Sequence, residues 1–228
     1  MMDTVKLIEN FCSFQGEGKD SGRRMIFLRF KSCNRNCRWC DTAVRMRITA
    51  EASHTLKDIQ ESIYKNSAGV CITGGEPTVD RHFDECLTLL NDLKYPLANV
   101  ETNGYRLEDL IKSVILSKPV HYIFSPKIFS DNDYDFAIEL VKKFIRNPNV
   151  FYKIVYENNI MMSDFLEEVN TILSLDSSTQ FLHSQKVWIM PEGVTREDLI
   201  KNSGPVFDIC EKYNFSFSSR NHIIYGFI

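Results

Sequence analysis

Short apolar runs alternate with longer, helix-patterned segments along nearly the whole chain, and this alternation limits the possible folds more than any other feature. Met25–Phe30, Val70–Thr73, Ala98–Thr102, Tyr122–Ser125, Phe151–Tyr156 and Lys186–Met190 read as strands. Thr55–Tyr64, a segment through Cys86 to Leu93, Leu107–Ile115, Phe136–Ile145, Ser163–Leu173 and a stretch opening at Thr195 read as helices. Thr55 with Asp58 makes a capping box, and Thr195 opens its segment in the same way. Phe215–Ser218 adds an edge strand. Strand and helix alternating about six times imply right-handed crossovers and a parallel sheet. A closed eight-fold barrel takes about 250 residues, and this chain has 228. The expectation is therefore an α/β fold, a partial (β/α)6-type TIM barrel open on one side, with residues 1–228 forming a single domain. No repeat, low-complexity tract or Pro/Ser-rich linker interrupts it.

Composition removes several classes of function. A hydrophobic fraction of 43% with 25% charged residues is the mix of a chain with a real core, not of a disordered one. No apolar stretch approaches the roughly 20 residues that cross a bilayer. Met1–Asn10 mixes Asp3, Lys6 and Glu9 with its apolar residues, unlike a secretory signal, so a cytoplasmic protein is expected, with no membrane partner. Net charge is −3, from 27 basic and 30 acidic side chains. Without a basic excess, nucleic acid is not expected as a partner, and a small-molecule substrate is.

The Gly-, Pro- and charge-rich motifs follow the strands. Cys33 onward comes after the first, Gly74-Gly75-Glu76-Pro77 after the second and Asn103-Gly104 after the third. Ser125-Pro126-Lys127 comes after the fourth, and Pro191-Glu192-Gly193 after the last. In parallel α/β folds the C-terminal ends of the strands carry the site, so these motifs are expected to share one rim.

Of seven cysteines, Cys12, Cys71, Cys86 and Cys210 are scattered among apolar neighbours and read as small buried hydrophobes. Cys33, Cys37 and Cys40 are spaced C-x3-C-x2-C in a loop, where three sulfurs can converge as they cannot along a strand. Three soft thiolates select zinc or iron–sulfur. Structural zinc wants a fourth ligand, for which His54 is the nearest candidate. A 4Fe–4S cluster normally takes four thiolates, so three leave one iron open.

With Trp39 before the third cysteine, this loop resembles the cluster motif of the radical S-adenosylmethionine (SAM) superfamily. The resemblance implies a 4Fe–4S cluster whose open iron binds the amino and carboxylate groups of SAM. One electron then cleaves SAM to a 5′-deoxyadenosyl radical that abstracts hydrogen from a substrate. Gly74-Gly75-Glu76-Pro77 resembles the motif that holds the methionine amino group. Its glycines permit close backbone approach, although alone it would read as a strand-to-helix turn with an acid in the first turn. Ser125 and Lys127 match a further SAM-contacting motif, the alternative being an exposed lysine after a turn. By this resemblance Cys33, Cys37 and Cys40 are metal ligands, and Trp39, Asp41, Gly74, Gly75, Glu76, Ser125 and Lys127 face the cofactor.

Phe14-Gln15-Gly16-Glu17-Gly18, Cys40-Asp41-Thr42, Glu101-Thr102-Asn103-Gly104 and Ser125-Pro126-Lys127 occur in that order. Together they resemble the 7-carboxy-7-deazaguanine synthase family (QueE) of queuosine biosynthesis over essentially the whole chain. That family contracts a 6-carboxy-tetrahydropterin to a 7-deazapurine, with SAM as a regenerated cofactor and Mg2+ for efficiency. The resemblance implies that Thr42 ligates Mg2+, a hard cation suited to a hydroxyl oxygen, and that Thr42 is otherwise a polar loop residue. It also implies that Gln15, Gly16, Glu17, Arg29, Thr73, Glu101, His222 and the terminal carboxylate at Ile228 surround the substrate. Glu17, Arg29, Glu101 and His222 would be the catalytic residues among them. Arg29 would pair with a substrate carboxylate, the alternative being an inward arginine paired with a core acid. A reductant such as flavodoxin or ferredoxin and a homodimeric lyase are implied as well.

The chain departs from the family at Ser32, where a glycine is usual, at Met190-Pro191 in place of Gln-Pro, and at Ser218-Ser219-Arg220-Asn221-His222 in place of Gln-x-His. These changes lie nearer the substrate than the cluster. They leave open a queuine lyase-type salvage enzyme acting on a 7-deazaguanine base. A glycyl-radical activase shares the cysteine loop but not the QGEG start, and a zinc or iron–sulfur binding module leaves the remaining motifs without a purpose.

Overall fold

The computed structural model describes residues 3–37, 39–175 and 183–227, with backbone alone at 44–46 and 183. Its contacts divide the chain into two compact units. The first runs over the described residues up to Gln15 and over Gly22–Tyr122; the second takes Gly16–Ser21 and Ile123–Phe227.

The first unit comprises β1 (Thr4–Leu7), β2 (Glu9–Phe14), β3 (Arg24–Phe30), α1 (Ala43–Ile48), β4 (Ala52–Thr55), α2 (Leu56–Asn66), β5 (Gly69–Gly74), α3 (Phe83–Asp92), β6 (Ala98–Thr102), α4 (Leu107–Ser113) and the start of β7 (Val120–Phe124). β3, β5 and β6 lie parallel, with Arg29 opposite Thr73 and Phe30 opposite Gly74. β2 runs antiparallel to β3 and sets Glu9 opposite Arg29. β1 and β4 form a separate antiparallel pair. α2 starts where a side-chain oxygen caps it, whereas α3 and α4 open without such a cap. Thr55 Oγ1 accepts from Asp58 N at 3.0 Å and opens α2, which turns Ile59 and Ile63, one helical turn apart, into the core.

The second unit comprises the end of β7, α5 (Asp131–Phe144), β8 (Val150–Tyr156), α6 (Ile160–Ser174), α7 (His183–Lys186), β9 (Val187–Pro191), α8 (Arg196–Tyr213), β10 (Ser216–Phe217) and α9 (Asn221–Tyr225). β8, β9 and β10 are parallel. Every residue of β8 is buried, as expected of a parallel strand covered on both faces. Tyr152 packs edge-on against Phe124 with ring centroids 6.0 Å apart.

All the strands read from the sequence are present, and each parallel one is followed by its helix. Two helices begin earlier than periodicity indicates. α5 starts at Asp131 because Ser130 Oγ accepts from Asp133 N, and α6 starts at Ile160 because Asn159 Oδ1 accepts from Met162 N. Caps act locally and need no apolar stripe. Conversely, α4 ends at Ser113, short of Ile115. Cys12 is half-buried with Arg24 Nε 3.4 Å from its sulfur, a partial correction to its reading as core, while Cys71, Cys86 and Cys210 are buried. No helix among the described residues is long and apolar enough to cross a membrane.

Candidate active site

In the first unit the ends of β3, β5 and β6 carry the motifs. Gly74 has φ +144°, and a Cβ there would overlap the Phe30 carbonyl. At Gly75 a Cβ would overlap the Ser32 carbonyl and lie 2.8 Å from Cys33 Cβ. Both positions need glycine because the β5 turn lies directly against the backbone leading into the cysteine loop. Gly75 N donates to Phe30 O at 3.1 Å and Glu76 N to Ser32 O at 2.8 Å. His82 stacks on Phe30 at 4.7 Å, and its Nε2 accepts from Ser32 N at 3.4 Å.

Glu76 is fully buried. Its Oε1 accepts from Thr78 Oγ1 (2.6 Å), Thr102 Oγ1 (2.7 Å) and Thr78 N (3.2 Å), and its Oε2 from Asn103 N (2.6 Å). Burial pushes its carboxyl up, and these donors oppose the rise without cancelling it. Asn103 Nδ2 also donates to Asn34 Oδ1 at 2.8 Å, tying the β6 loop to the cysteine loop.

The three cysteines share that loop. Arg35 N donates to Cys33 Sγ at 3.4 Å, Cys40 N to Cys37 O at 3.2 Å, and Cys40 Sγ lies 3.4 Å from Thr42 Oγ1. Burial raises the Cys33 thiol, and the neighbouring Glu76, Cys37 and Cys40 charges raise it further. Thiols that oppose each other's ionisation are relieved when a cationic, sulfur-seeking centre enters, so the donor set fits an iron–sulfur cluster. Among the described residues, no three His, Cys, Asp or Glu side chains, these cysteines included, are gathered closely enough to hold a metal ion. Trp39 is half-buried beside them and Asp41 is exposed in the following turn.

Three of the residues expected around a substrate form one bonded group. Gln15 Nε2 donates to Glu101 Oε1 at 3.3 Å, and Thr73 Oγ1 donates to Glu101 Oε2 at 2.9 Å. Arg29 lies opposite Thr73 in the sheet. Its Nε donates to Glu9 Oε2 at 2.6 Å, the pairing with a core acid that stood as the alternative to a substrate contact. Glu9 was not read as the partner of Arg29 because β2 has no apolar alternation to mark it as a strand.

In the second unit Glu17 is held by two cations. Lys153 Nζ donates to Oε2 at 2.6 Å and Arg220 Nε to Oε1 at 2.8 Å, with His222 Nε2 at 3.9 Å from Oε1. Burial works against its charge, but Lys153, Arg220 and His222 hold the carboxyl far below its ordinary range. A Cβ on Gly16 would overlap His222 Nδ1, so the QGEG glycine lets the imidazole lie on the backbone. Lys127 Nζ donates to Ser125 Oγ at 2.7 Å. Ile228 lies outside the described residues. Lys153 and Arg220 were missed as site residues. A lone lysine inside the apolar run Phe151–Tyr156 was the available signal, since a buried ammonium requires a buried partner.

The radical SAM superfamily profile matches residues 28–174. The 7-carboxy-7-deazaguanine synthase of Clostridium acetobutylicum is 29% identical over 194 residues, spanning 82% of this chain and 80% of that one. Its counterpart from Hyperthermus butylicus is 25% identical over 239 residues, spanning 96% and 92%. The crystal structure of QueE from Escherichia coli matches with a TM-score of 0.60 at 18% identity, covering 96% of this chain and 95% of that one. This structural likeness speaks for the fold, and the fold is the α/β partial barrel expected from strand and helix alternation.

Proposed function

The chain belongs to the radical SAM superfamily, and from that premise we infer that it contracts a 6-carboxy-tetrahydropterin to 7-carboxy-7-deazaguanine. It is a radical SAM enzyme most like 7-carboxy-7-deazaguanine synthase, and membership implies a 4Fe–4S cluster and SAM. When bound, these supply a hydrogen-abstracting carbon radical. Cys33, Cys37 and Cys40 would hold the cluster. Glu76, whose Oε1 already takes three donors, would receive the SAM ammonium. The Thr78 hydroxyl has a second acceptor in Tyr105 O, so its single proton can turn away as an ammonium arrives.

The observation that carries the substrate reading is the Gln15–Glu101–Thr73 group. Amide and hydroxyl donors orient both Glu101 oxygens, leaving a fixed acceptor for a substrate rich in N–H groups. Glu17, anionic because of its cations, accepts hydrogen bonds and does not act as an acid. Thr42 offers a hydroxyl oxygen to Mg2+. A homodimer in the cytoplasm, reduced by flavodoxin or ferredoxin, follows from the family resemblance.

The test incubates anaerobically reconstituted, reduced enzyme with SAM and either 6-carboxy-tetrahydropterin or queuine. A product with the mass of 7-carboxy-7-deazaguanine from the pterin supports the reading. Cleavage of queuine, with the pterin untouched, would replace it with a salvage lyase.

A further inference from the structure

We propose that Lys153 is a positioning residue that fixes the Glu17 carboxylate, ionised and in one orientation, against the bound substrate. The inference rests on the pterin-contracting reading only for the identity of that substrate.

The geometry carries it. β8 is buried from end to end, and Lys153 is the one charged residue in it. Its ammonium reaches Glu17 across 136 positions of sequence to take Oε2 at 2.6 Å. The other oxygen is taken by Arg220 at 2.8 Å, and Arg220 is itself anchored through Nη1 to Gly193 O at 2.8 Å. Opposed donors on both oxygens stop the carboxylate from rotating. The backbone around Glu17 is pinned as well: Asn221 N donates to Gly16 O at 3.0 Å, and Gly18 N to Ser218 Oγ at 2.7 Å. The charged groups bearing on Glu17 include Lys153 from β8, Arg220 ahead of α9 and His222 on α9.

A buried ion pair gains little stability over apolar residues of the same volume. A lysine kept inside an apolar strand is therefore better explained by what it does to Glu17 than by what it adds to folding. With Lys153 gone, burial raises the Glu17 carboxyl against the remaining charges, Arg220 and His222 among them.

The experiment compares Lys153→Met and Lys153→Arg with wild type. One readout is 13C NMR of glutamate-labelled protein, with the Glu17 signal assigned by its loss in Glu17→Gln. The other is steady-state turnover. In Lys153→Met, Glu17 titrates at least about one pH unit higher than in wild type. Product formation falls about 100-fold, while SAM cleavage to 5′-deoxyadenosine continues and KM for SAM is unchanged. Lys153→Arg, which restores the cation, recovers most of both. Lys153→Gln carries the same comparison if Lys153→Met does not fold.

An unshifted Glu17 titration with wild-type turnover in Lys153→Met overturns the proposal. So does a Lys153→Arg enzyme as impaired as Lys153→Met. If wild-type enzyme makes no deazaguanine from the pterin, the functional reading falls separately, and the Glu17 titration still decides the role of Lys153.

Discussion

Two glutamates in this protein, Glu76 buried and Glu17 half-buried, are satisfied in opposite ways. Glu76 is surrounded by neutral donors, namely backbone N–H groups and threonine hydroxyls. Burial prevails there and the carboxyl rises. Glu17 is clamped by Lys153 and Arg220, and cation attraction outweighs burial, so its carboxyl falls. A carboxylate held by neutral dipoles still gains from an incoming cation, which suits a place for the ammonium of SAM. A carboxylate already neutralised by fixed cations gains much less and is better used as an oriented anion against a substrate. On the proposed reading, the two environments would divide cofactor binding from substrate handling.

The largest effect expected on this division comes from the cysteine loop beside Glu76. Cys33→Ala, Cys37→Ala and Cys40→Ala should each abolish SAM cleavage while circular dichroism still reports the α/β fold. Formation of 5′-deoxyadenosine by any of them would break the assignment of the first region.

Next, the two glutamates should fail differently. Glu76→Gln should raise KM for SAM about tenfold or more, since a charge-assisted hydrogen bond is lost. Glu17→Gln should leave SAM cleavage running and lower product formation about 100-fold. Equal loss of both activities in both variants would erase the distinction.

The pH dependence of stability sharpens it. The folded-state Glu17 carboxyl lies below its unfolded value, so its contribution is complete above the unfolded carboxylate pKa of about 4.3. It is lost as pH falls from there toward the folded value. Melting temperatures from pH 6 to pH 3 should therefore fall more steeply in wild type than in Glu17→Gln. Parallel curves would mean that the clamp contributes nothing to folding.

A smaller effect is expected from Gly16→Ala, whose methyl must displace His222; it should reduce product formation before it affects SAM cleavage. Smallest is Thr55→Ala, away from both glutamates. It should cost about 1 kcal/mol of stability in urea unfolding and leave turnover alone.

Much of this was legible in the sequence where the signal is local. The six core strands and the caps at Thr55 and Thr195 are written in contiguous residues. β1, β2 and β4 were not, because short half-polar strands are defined by the strand they pair with, not by their own pattern. The site divides along the same line. The cysteine loop and Gly74-Gly75-Glu76 are contiguous and were visible. The partners that set the charge of Glu17 lie 136 and 203 positions away, and the acid that occupies Arg29 lies on an unread strand. Chemistry carried by one loop can be read from a sequence, whereas electrostatics assembled by topology cannot be read until the elements are placed.

The central claim is that three thiolates leave one iron of a cluster open to SAM. It is tested most directly by electron paramagnetic resonance of the anaerobically reconstituted, reduced protein before and after SAM is added, alongside metal analysis. The account predicts about four irons per chain and a signal that changes when SAM binds. Stoichiometric zinc without iron, or a reduced cluster whose signal ignores SAM, would contradict it.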